Sequence, residues 1–587
     1  MTDASTSDTP RQRLAVIGAG SSGLITLKYA DSTLCDWDIV CFEKSGSIRG
    51  CWGNPFPGFV STSTKYTTQF ACFPKYDLDQ EEGSYDKYSA FFRDGEYGQY
   101  LESIADQFDL RRFIRLQCNV TRLKPIDGGK GWELTWQECG GPRNAVAREG
   151  EDLNLHTERF DAVAVCTGLA EVPKQVATAI PTLSPSDFRT PQSVAQVHDE
   201  TIVVMGGGES AVDYAKRLSK PELNNKVYLS LRSGIRVSPR IHPIRGVPSD
   251  YLRTRWMLSI HDELRNWIGE RFVKTRIRYE SVFRRLFPSK FVSNPGESGE
   301  QRRLGSLKAQ WAMKLTRSAK DSVFDMFHNK SDDFLDAVAR GDLQIIGPPI
   351  DESHSRYRTF DSICDSSSLN PNGPLATAST GNESFISSEA ANAASSETLD
   401  IRPTRLIPAI GYQSRLSKLT GDTVCPSDFY LGCFHVRHRN LFLIGFARPI
   451  IGNIPSISEM QARLACRVLA GVVRLPENME TVHHQERTDL AKRYKRLDIN
   501  TAYPVEMIPY CDQLAVMMDE YPTVTRLGGW RNWWRQQFTP ATTLHYLADQ
   551  PSCRERFERS SMCLPFVFVV LLTLLWPVDR VYRWFRS

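Results

Sequence analysis

The sequence lacks several features that would define other classes of protein. None of its 14 cysteines stands at C-x-x-C spacing, which argues against a zinc ribbon and against a dithiol redox centre. The 11 histidines form no ligand-spaced cluster and no H-E-x-x-H motif, so no metal site is predicted. The net charge is only +4, without a long basic run, so no nucleic-acid partner is predicted.

An apolar leader is also missing, because the first residues (MTDASTSDTPRQR) are polar. Cysteines such as Cys41 and Cys166 lie inside apolar runs and are typical of small core residues in a reducing compartment. We therefore expect the bulk of the chain to lie in the cytosol. A length of 587 residues predicts two or three domains.

A strand, a glycine loop and a helix are predicted near the N-terminus. The apolar strand Leu14–Ile17 runs into the sequence GAGSSG, which has the form G-x-G-x-x-G, and a helix follows to Ala30. The next strand, Asp38–Phe42, ends at Glu43. In such a loop the glycines allow a tight turn and a close approach of the backbone to a pyrophosphate, which the helix N-terminus attracts. The candidate cofactor-binding residues are Gly18, Gly20, Ser22, Gly23 and Glu43, the last as acceptor for an adenosine ribose.

A second loop of the same kind follows the strand Thr201–Met205 and has the form G-x-G-x-x-A. The next strand, Val227–Leu231, ends at Arg232 where the first unit has an acid. An arginine can hold a 2′-phosphate that a carboxylate would repel, so this loop is predicted to prefer NADPH to NADH. Arg236 is a weaker second candidate for that phosphate. The loop residues predicted to bind cofactor are Gly206, Gly208 and Ser210.

Two dinucleotide loops in one chain, one marked by an acid and one by an arginine, indicate FAD and NADPH as cofactors, and so hydride transfer to a flavin. With these motifs in place, the sequence resembles the flavin-containing monooxygenase family over roughly residues 12–480. The segments that carry the resemblance are Phe42–Lys44 with Ile48–Gly53, Cys166–Gly168 with Pro173, Ala409–Tyr412, Leu443–Phe446 and Glu459–Arg463. Within them, the further residues expected at the cofactors are Trp52, Thr167, Gly168, Gly411 and Gly445.

The resemblance implies an α/β fold with two Rossmann-like dinucleotide-binding domains, the NADPH domain being inserted in the FAD domain. The expected boundaries are 12–175 and 401–480 for the two parts of the FAD domain, 195–345 for the NADPH domain with its helical insertion, and 481–560 for a C-terminal helical region. It also implies the chemistry: NADPH reduces FAD, O2 adds to give a C4a-hydroperoxyflavin, and one oxygen atom passes to nitrogen or sulfur of a small molecule.

The sequence departs from the family pattern at three points. The family's F-x-G-x-x-x-H-S-x-x-Y segment is replaced by Ile180–Phe188, and Ile410 stands where the family has threonine. The family asparagine beside the flavin ring falls on Lys65, with Gln69 a few residues on, and these two are the candidate catalytic residues. Two alternatives stay open: Baeyer–Villiger oxygenation of a ketone, and a flavin NADPH oxidase that transfers no oxygen. A disulfide reductase is disfavoured, because C-x-x-C is missing.

A helix over Ile457–Ala470 is predicted from Ser456 and Glu459 at capping-box spacing and from Gly471 at its end. Its positive end would favour the anionic reduced flavin.

Two further segments are expected to stand apart from the catalytic domains. Residues 351–400 contain a stretch rich in Ser, Asn, Ala and Gly, which predicts a disordered insertion. The uncharged run Met562–Val578, with arginines on both sides, predicts a membrane anchor that leaves the catalytic part in the cytosol, plausibly on the endoplasmic reticulum as in the resembling family.

Overall fold

The structure is a computed structural model of the whole chain. It describes residues 11–53, 58–78, 88–139, 155–169, 172–188, 190–287, 299–319, 328–364, 398–494, 497, 499–560, 562–564 and 566–586.

The first unit begins with the elements that the sequence predicts. Its strands are β1 (Arg13–Ile17), β2 (Asp38–Phe42), β3 (Val60–Thr64), β4 (Phe91–Arg93), β5 (Ile114–Arg115), β6 (Cys118–Ile126), β7 (Gly131–Glu138), β8 (Leu155–Phe160) and β9 (Ala162–Val165). Its helices are α1 (Ser21–Thr33), α2 (Lys65–Thr68) and α3 (Glu96–Gln107). The residues of β1 alternate between two cores: Leu14 and Val16 pack towards α1, and Ala15 and Ile17 pack towards the β6–β8 meander. Burial on both faces explains the continuous apolar run.

A short strand, β10 (Val172–Pro173), and a short helix, α4 (Pro191–Ala195), lead into the second unit. Its strands are β11 (Thr201–Met205), β12 (Lys226–Ser230), β13 (Arg236–Ser238), β14 (His328–Lys330), β15 (Leu343–Pro349), β16 (Arg356–Thr359), β17 (Thr398–Asp400) and β18 (Arg405–Pro408). Its helices are α5 (Glu209–Leu218), α6 (Arg255–Ser259), α7 (Asp262–Arg278), α8 (Glu280–Leu286), α9 (Gly299–Arg317), α10 (Phe334–Arg340) and α11 (Phe360–Ile363).

The chain then returns to the first unit. The strands are β19 (Tyr412–Gln413), β20 (Phe429–Tyr430), β21 (Phe434–His435), β22 (Leu441–Leu443), β23 (Ala447–Ile451) and β24 (Tyr503–Glu506). The helices are α12 (Leu416–Leu419), α13 (Ile454–Leu469), α14 (Met479–Arg493), α15 (Met507–Met517), α16 (Trp530–Phe538), α17 (Pro551–Arg559) and α18 (Phe566–Arg586).

The strand order shows that the second unit is inserted into the first. The first sheet has the order β20-β21-β22-β9-β1-β2-β5, so β22 from the late part of the chain pairs in parallel with β9 from the early part. The second sheet has the order β17-β16-β15-β12-β11-β18, and its strands all lie between β9 and β22 in the chain. The prediction of an α/β fold with two Rossmann-like sheets is confirmed. The chain passes from the first unit to the second through β10 and returns through β19. These two strands pair antiparallel.

Two expectations about separate segments need correction. Both flanks of the insertion expected at 351–400 are ordered, since β16, α11 and β17 belong to the second unit and β16 pairs with β17. Tyr357 of β16 is fully buried, so this part of the expected insertion packs into the second unit. Residues 365–397 lie outside the described residues.

The C-terminal run was expected to cross a membrane. Within the ranges given above, no helix is both long enough and apolar enough to do so. The helix at this position, α18, carries Asp579, Arg580 and Arg583 among its last eight residues and contacts the body of the protein. The backbone N–H of His261 donates to Asp579 at 2.7 Å, and the Trp256 indole donates to the carbonyl of Leu572 at 2.9 Å. The spanning anchor at 562–578 is therefore not supported.

Candidate functional site: two glycine loops and the seam between them

The first glycine loop joins β1 to α1 and is tightly enclosed. Gly18 has φ of 99°, and a Cβ on Gly23 would lie 1.8 Å from the carbonyl oxygen of Gly18. Gly20 faces Gly50, whose Cα would lie 3.5 Å from a Cβ built on Gly20. No side chain caps α1, so its first N–H groups remain available to an anion.

The acid predicted to mark this loop is where the motif requires it. Glu43 follows β2, is buried, and accepts hydrogen bonds from the backbone N–H of Ala19 and of Ser45, both at 2.8 Å. Each carboxylate oxygen has a second lone pair, so Glu43 can also accept from a ribose hydroxyl. The bonds to the backbone fix the direction of the carboxylate before any ligand binds.

Ser22 and Gly445 are brought together, in the packing of two helices. The Ser22 hydroxyl lies 2.9 Å from the hydroxyl of Ser458 on α13, and a Cβ on Gly445 would lie 2.1 Å from the Ser22 Oγ. The backbone N–H of Gly445 donates to Gln461 at 2.9 Å. The Ser22 side chain therefore joins α1 to α13, while its backbone remains in the loop.

The other residues expected at the cofactors lie in turns and connections that follow or precede strands and helices. Trp52 ends a 3-10 turn and packs its ring against Tyr97 at a centroid distance of 5.0 Å. Thr167 and Gly168 follow β9, and Gly168 has φ of 82°. Gly411 has φ of 99° and precedes β19 in the returning crossing.

The two candidate catalytic residues lie on and just after α2, and both are already engaged. Lys65 forms an ion pair with Glu96 at 3.1 Å. Gln69 is fully buried, and its side-chain amide donates to the carbonyls of Tyr66 and Tyr76 at 3.3 and 2.6 Å. Its oxygen accepts from the backbone N–H of Lys75 and Tyr76 at 2.8 and 2.7 Å. The amide of Gln69 thus closes the loop after α2 and has no hydrogen bond left for a bound group.

The start of α13 differs from the prediction. The helix begins at Ile454, three residues before the predicted start, and Asn453 caps it by accepting from the N–H of Ser456 at 2.9 Å. The predicted capping box is wrong. Glu459 instead accepts from the N–H groups of Ala71 and Cys72 and from the hydroxyl of Tyr29. Sequence spacing could not reveal these partners, which are hundreds of residues away along the chain.

The N-terminus of α13 is also joined to α2. The carbonyl of Thr67 accepts from the Asn453 amide at 2.8 Å and from the Ser456 hydroxyl at 3.1 Å. The signal that could have located this helix start is the sequence Asn453–Pro455, since asparagine is a common cap and proline fits the first turn.

The second glycine loop joins β11 to α5 and is open to solvent. Gly206 has φ of 127°, and a Cβ there would lie 2.3 Å from the carbonyl oxygen of Ala409. Gly208, by contrast, has nothing within 4 Å of a built Cβ. Gly207, Gly208 and Ser210 are exposed, and no side chain caps α5. Free N–H donors at an open helix end suit an anionic ligand.

The two arginines proposed for a 2′-phosphate lie in different surroundings. Arg232 follows β12 and is exposed. Arg236 is buried on β13, with its guanidinium 2.9 Å from the ring of His328. Burial and the neighbouring Arg253 lower the pKa of Arg236 to about 9. Arg236 is therefore part of the packing of the second unit, and the expectation that it assists Arg232 is not supported.

A short strand, β14, connects the second glycine loop to the first unit. The Asn329 amide donates to the carbonyl of Gly207 at 2.9 Å. The next residue, Lys330, donates to the carbonyl of Thr62 on β3 at 2.6 Å and forms a buried ion pair with Asp250. Asp250 in turn accepts from the N–H of Thr64 at 3.2 Å. We call this set of contacts the seam.

The residues of both loops fit dinucleotides. Each loop offers glycines whose close neighbours would not admit a side chain, followed by a helix without a side-chain cap. The strand after the first loop and its helix is followed by the acid Glu43. The corresponding strand of the second unit is followed by the exposed Arg232. The fold and these loops define a flavoprotein that uses two dinucleotides.

The chain belongs to the flavin-binding monooxygenase-like family, whose sequence pattern matches residues 11–290 and 429–555. Dimethylaniline monooxygenase (N-oxide-forming) 2 of Cavia porcellus is 30% identical over 541 residues, covering 87% of this chain and 83% of that protein. Monooxygenase cfoE of Aspergillus candidus is 26% identical over 89% of this chain and 86% of its own length. Other relatives match over about half their length, such as dimethylaniline monooxygenase (N-oxide-forming) 4 of Oryctolagus cuniculus, at 26% over 48% of that protein.

Among solved structures, a closed form of cyclohexanone monooxygenase aligns with a TM-score of 0.52 at 14% identity, covering 87% of this chain and 98% of that one. An oxidised steroid monooxygenase bound to NADP aligns with a TM-score of 0.51 at 14% identity, covering 86% and 96%. At these identities the likeness shows the fold alone. The cofactors of this chain are those of its family, FAD and NADPH.

Proposed function

We propose that this protein uses NADPH and O2 to transfer one oxygen atom to a nitrogen or sulfur centre of a small organic molecule. The observation that carries the proposal is the meeting of three elements. The second glycine loop contacts β3 through the seam, β3 continues into α2, and α2 is joined to the N-terminus of α13. These contacts join the second loop, which would hold NADPH, to the N-terminus of α13, which would face the flavin ring.

The first loop, with Glu43, would hold the adenosine part of FAD, and the second loop, with Arg232, that of NADPH. The bound cofactors supply the redox chemistry: NADPH provides the hydride, and the reduced flavin activates O2. The chain itself orients these groups. The N-terminus of α13 carries a partial positive charge, which stabilises negative charge on the flavin ring when the ring is reduced.

Exclusion of water is the other contribution of the protein. Tyr66, Thr67, Gln69 and Ser456, around the junction of α2 and α13, are all buried. A dry wall of fixed dipoles protects a reactive oxygen species from hydrolysis and proton exchange. It remains a prediction that Lys65 or Gln69 lies next to the flavin ring. The contacts of Gln69 suggest that it shapes this wall without donating to the ring.

The proposed substrate class is suggested by the N-oxide-forming dimethylaniline monooxygenase of Cavia porcellus. The test is oxygen uptake and NADPH oxidation by the purified enzyme with a tertiary amine, a thioether and a ketone, in the presence of labelled O2. We expect an N-oxide or a sulfoxide that gains one labelled atom. An ester from the ketone alone would favour Baeyer–Villiger chemistry, and NADPH oxidation that yields only hydrogen peroxide would favour an oxidase; either result would contradict the proposal.

A further inference from the structure

Three consecutive backbone carbonyls of β3 are bound by cations of the second unit. The Arg240 guanidinium donates to the carbonyls of Val60 and Ser61 at 2.9 and 3.0 Å. The Lys330 ammonium donates to the next carbonyl, that of Thr62, at 2.6 Å. Hydrogen bonds from ionised donors are stronger than those from neutral donors. The second unit therefore holds β3 by its backbone, through side chains of its own.

Acids of the second unit complete these contacts. Asp250 forms its ion pair with Lys330 and accepts from the N–H of Thr64 at 3.2 Å. Asp332 accepts from the hydroxyl of Tyr88, which belongs to the first unit, at 2.9 Å. The side chains of Lys330, Asp250 and Asp332 are only 5%, 7% and 5% exposed. Charges that are shielded from water interact more strongly than charges at the surface, so these contacts resist displacement.

The residue before Lys330 contacts the second glycine loop. The Asn329 amide donates to the carbonyl of Gly207 at 2.9 Å. Successive side chains of a strand point to opposite sides, so β14 reaches the second loop with Asn329 and β3 with Lys330. A displacement of β14 would therefore move the second loop relative to β3.

The strand β3 leads directly into the elements that would lie next to the flavin ring. Thr64, its last residue, caps α2 by accepting from the N–H of Thr67 at 3.3 Å. The carbonyl of Thr67 accepts from Asn453 and Ser456 at the start of α13. Each link from the second loop to α13 is thus a hydrogen bond or a few residues of backbone.

Hydride transfer is sensitive to a displacement along this path. The reacting atoms must lie about 3–3.5 Å apart, and an error of about 1 Å can lower the rate on the order of a hundredfold. We propose that Lys330 and Asp250 are positioning residues for this step: their ion pair fixes the second unit against β3, and so sets the distance between a nicotinamide held by the second loop and a flavin ring next to α13.

This inference rests on the proposed function, in which the two loops hold NADPH and FAD. It assigns neither Lys330 nor Asp250 a contact with the reacting atoms. Hydride transfer leaves the nicotinamide oxidised and the flavin reduced by the same two electrons, and the ion pair acts on it only through β3 and Asn329.

The test is Lys330→Met in the purified, FAD-loaded enzyme. Arg253 lies 3.6 Å from Asp250, so the acid keeps a counter-ion and the variant should fold. We expect the limiting rate of flavin reduction by saturating NADPH, measured without O2, to fall about tenfold or more. Flavin content, the Kd of NADP+ and the reaction of the dithionite-reduced enzyme with O2 should stay as in the wild type. A residue that only stabilises the fold would lower the melting temperature and leave the limiting rate unchanged.

Hydrogen exchange gives a readout that needs no nicotinamide. Peptides that cover β3 and α2 should exchange faster in Lys330→Met than in the wild type, because β3 is held less firmly. Lys330→Gln keeps a hydrogen-bond donor and loses the charge, so it should lie between the wild type and Lys330→Met in both measurements. This second variant decides the test if the first does not fold.

Arg265→Met is the matched control. Arg265 forms a buried ion pair with Glu506 and donates to the carbonyl of Leu258 at 3.1 Å, and Arg493 gives Glu506 a second cation. These contacts are of the same kind as those of Lys330, but they join α7 to α6 and β24. The melting temperature of Arg265→Met should fall, whereas its limiting rate of flavin reduction and its exchange at β3 should match the wild type.

An unchanged limiting rate in both Lys330 variants, or an equal fall in Arg265→Met, would overturn the inference. If NADPH does not reduce the flavin of the wild type at all, the proposed function itself fails. In that case the exchange at β3 still shows whether Lys330 holds the two units together.

Discussion

The two glycine loops share a backbone plan and differ in their surroundings. In the first loop, Ala19 and Gly23 are buried, and the acid Glu43 is held by two backbone N–H groups. In the second loop, Gly208 faces open space, and both Glu209 and Arg232 are exposed. The first arrangement suits a resident group that is part of the folded core. The second suits a ligand that binds and leaves in each cycle, so changes in the two loops should have different consequences.

The largest contrast is expected from the same substitution in each loop. Gly23→Ala puts a Cβ 1.8 Å from the Gly18 carbonyl oxygen, which the packed loop cannot accommodate. We expect little soluble protein and no bound flavin. Gly208→Ala meets nothing within 4 Å and should leave yield, melting temperature and flavin content unchanged. Flavin absorbance per mole of protein measures the flavin content of both variants. A normal flavin content in Gly23→Ala would contradict the expected difference between the two loops.

A second contrast lies within the first unit. Gln69→Ala leaves two backbone N–H groups and two carbonyls of a buried loop without their partner, which should cost about 2–4 kcal/mol of unfolding free energy. Denaturant unfolding of the flavin-loaded enzyme measures this cost. A loss as small as that of a surface substitution would mean that the loop closes without Gln69.

The second loop should respond in ligand binding and not in stability. Arg232→Ala removes one charged contact to a 2′-phosphate. This should lower kcat/KM for NADPH by the equivalent of about 1.5–3 kcal/mol and leave kcat/KM for NADH nearly unchanged. Because Arg232 is exposed, the melting temperature should not change. Equal effects on the two dinucleotides would contradict its role.

The smallest effect is expected for Lys65→Ala. Its ion pair with Glu96 is partly exposed, with side-chain exposures of 18% and 37%, and such pairs contribute about 0–1 kcal/mol. Thermal unfolding should therefore differ little from wild type. If instead the yield of oxygenated product per NADPH falls at unchanged stability, Lys65 acts on the flavin reaction, as the sequence predicts.

Much of the fold could be predicted from the sequence, because its signals are local. The two loops, Glu43 and Arg232 follow from spacings of a few tens of residues, and the strands around them are continuous apolar runs. Composition alone did not predict the strands at the edges of the expected insertion, where Tyr357 of β16 pairs with Leu399 of β17.

The candidate site was less accessible to sequence reasoning, because its residues act through distant partners. Gln69 offered amide chemistry, but its amide is used by the turn that follows it. Glu459 matched a capping pattern, yet its partners are Tyr29 and the loop at Ala71. The run Met562–Val578 predicted an anchor from its composition, which could not show that Asp579, just after it, accepts from the backbone N–H of His261.

The pairing of β10 with β19 brings together the two points at which the second unit is inserted into the first. Pro173 and Tyr412 are ladder partners, so the second unit leaves and rejoins the first at neighbouring points. An inserted domain whose ends meet can be exchanged without stretching its host. A chimaera that keeps the chain up to Pro173 and from Tyr412 onward, with a related nucleotide unit grafted between them, would inherit the flavin site of one parent and the reductant preference of the other.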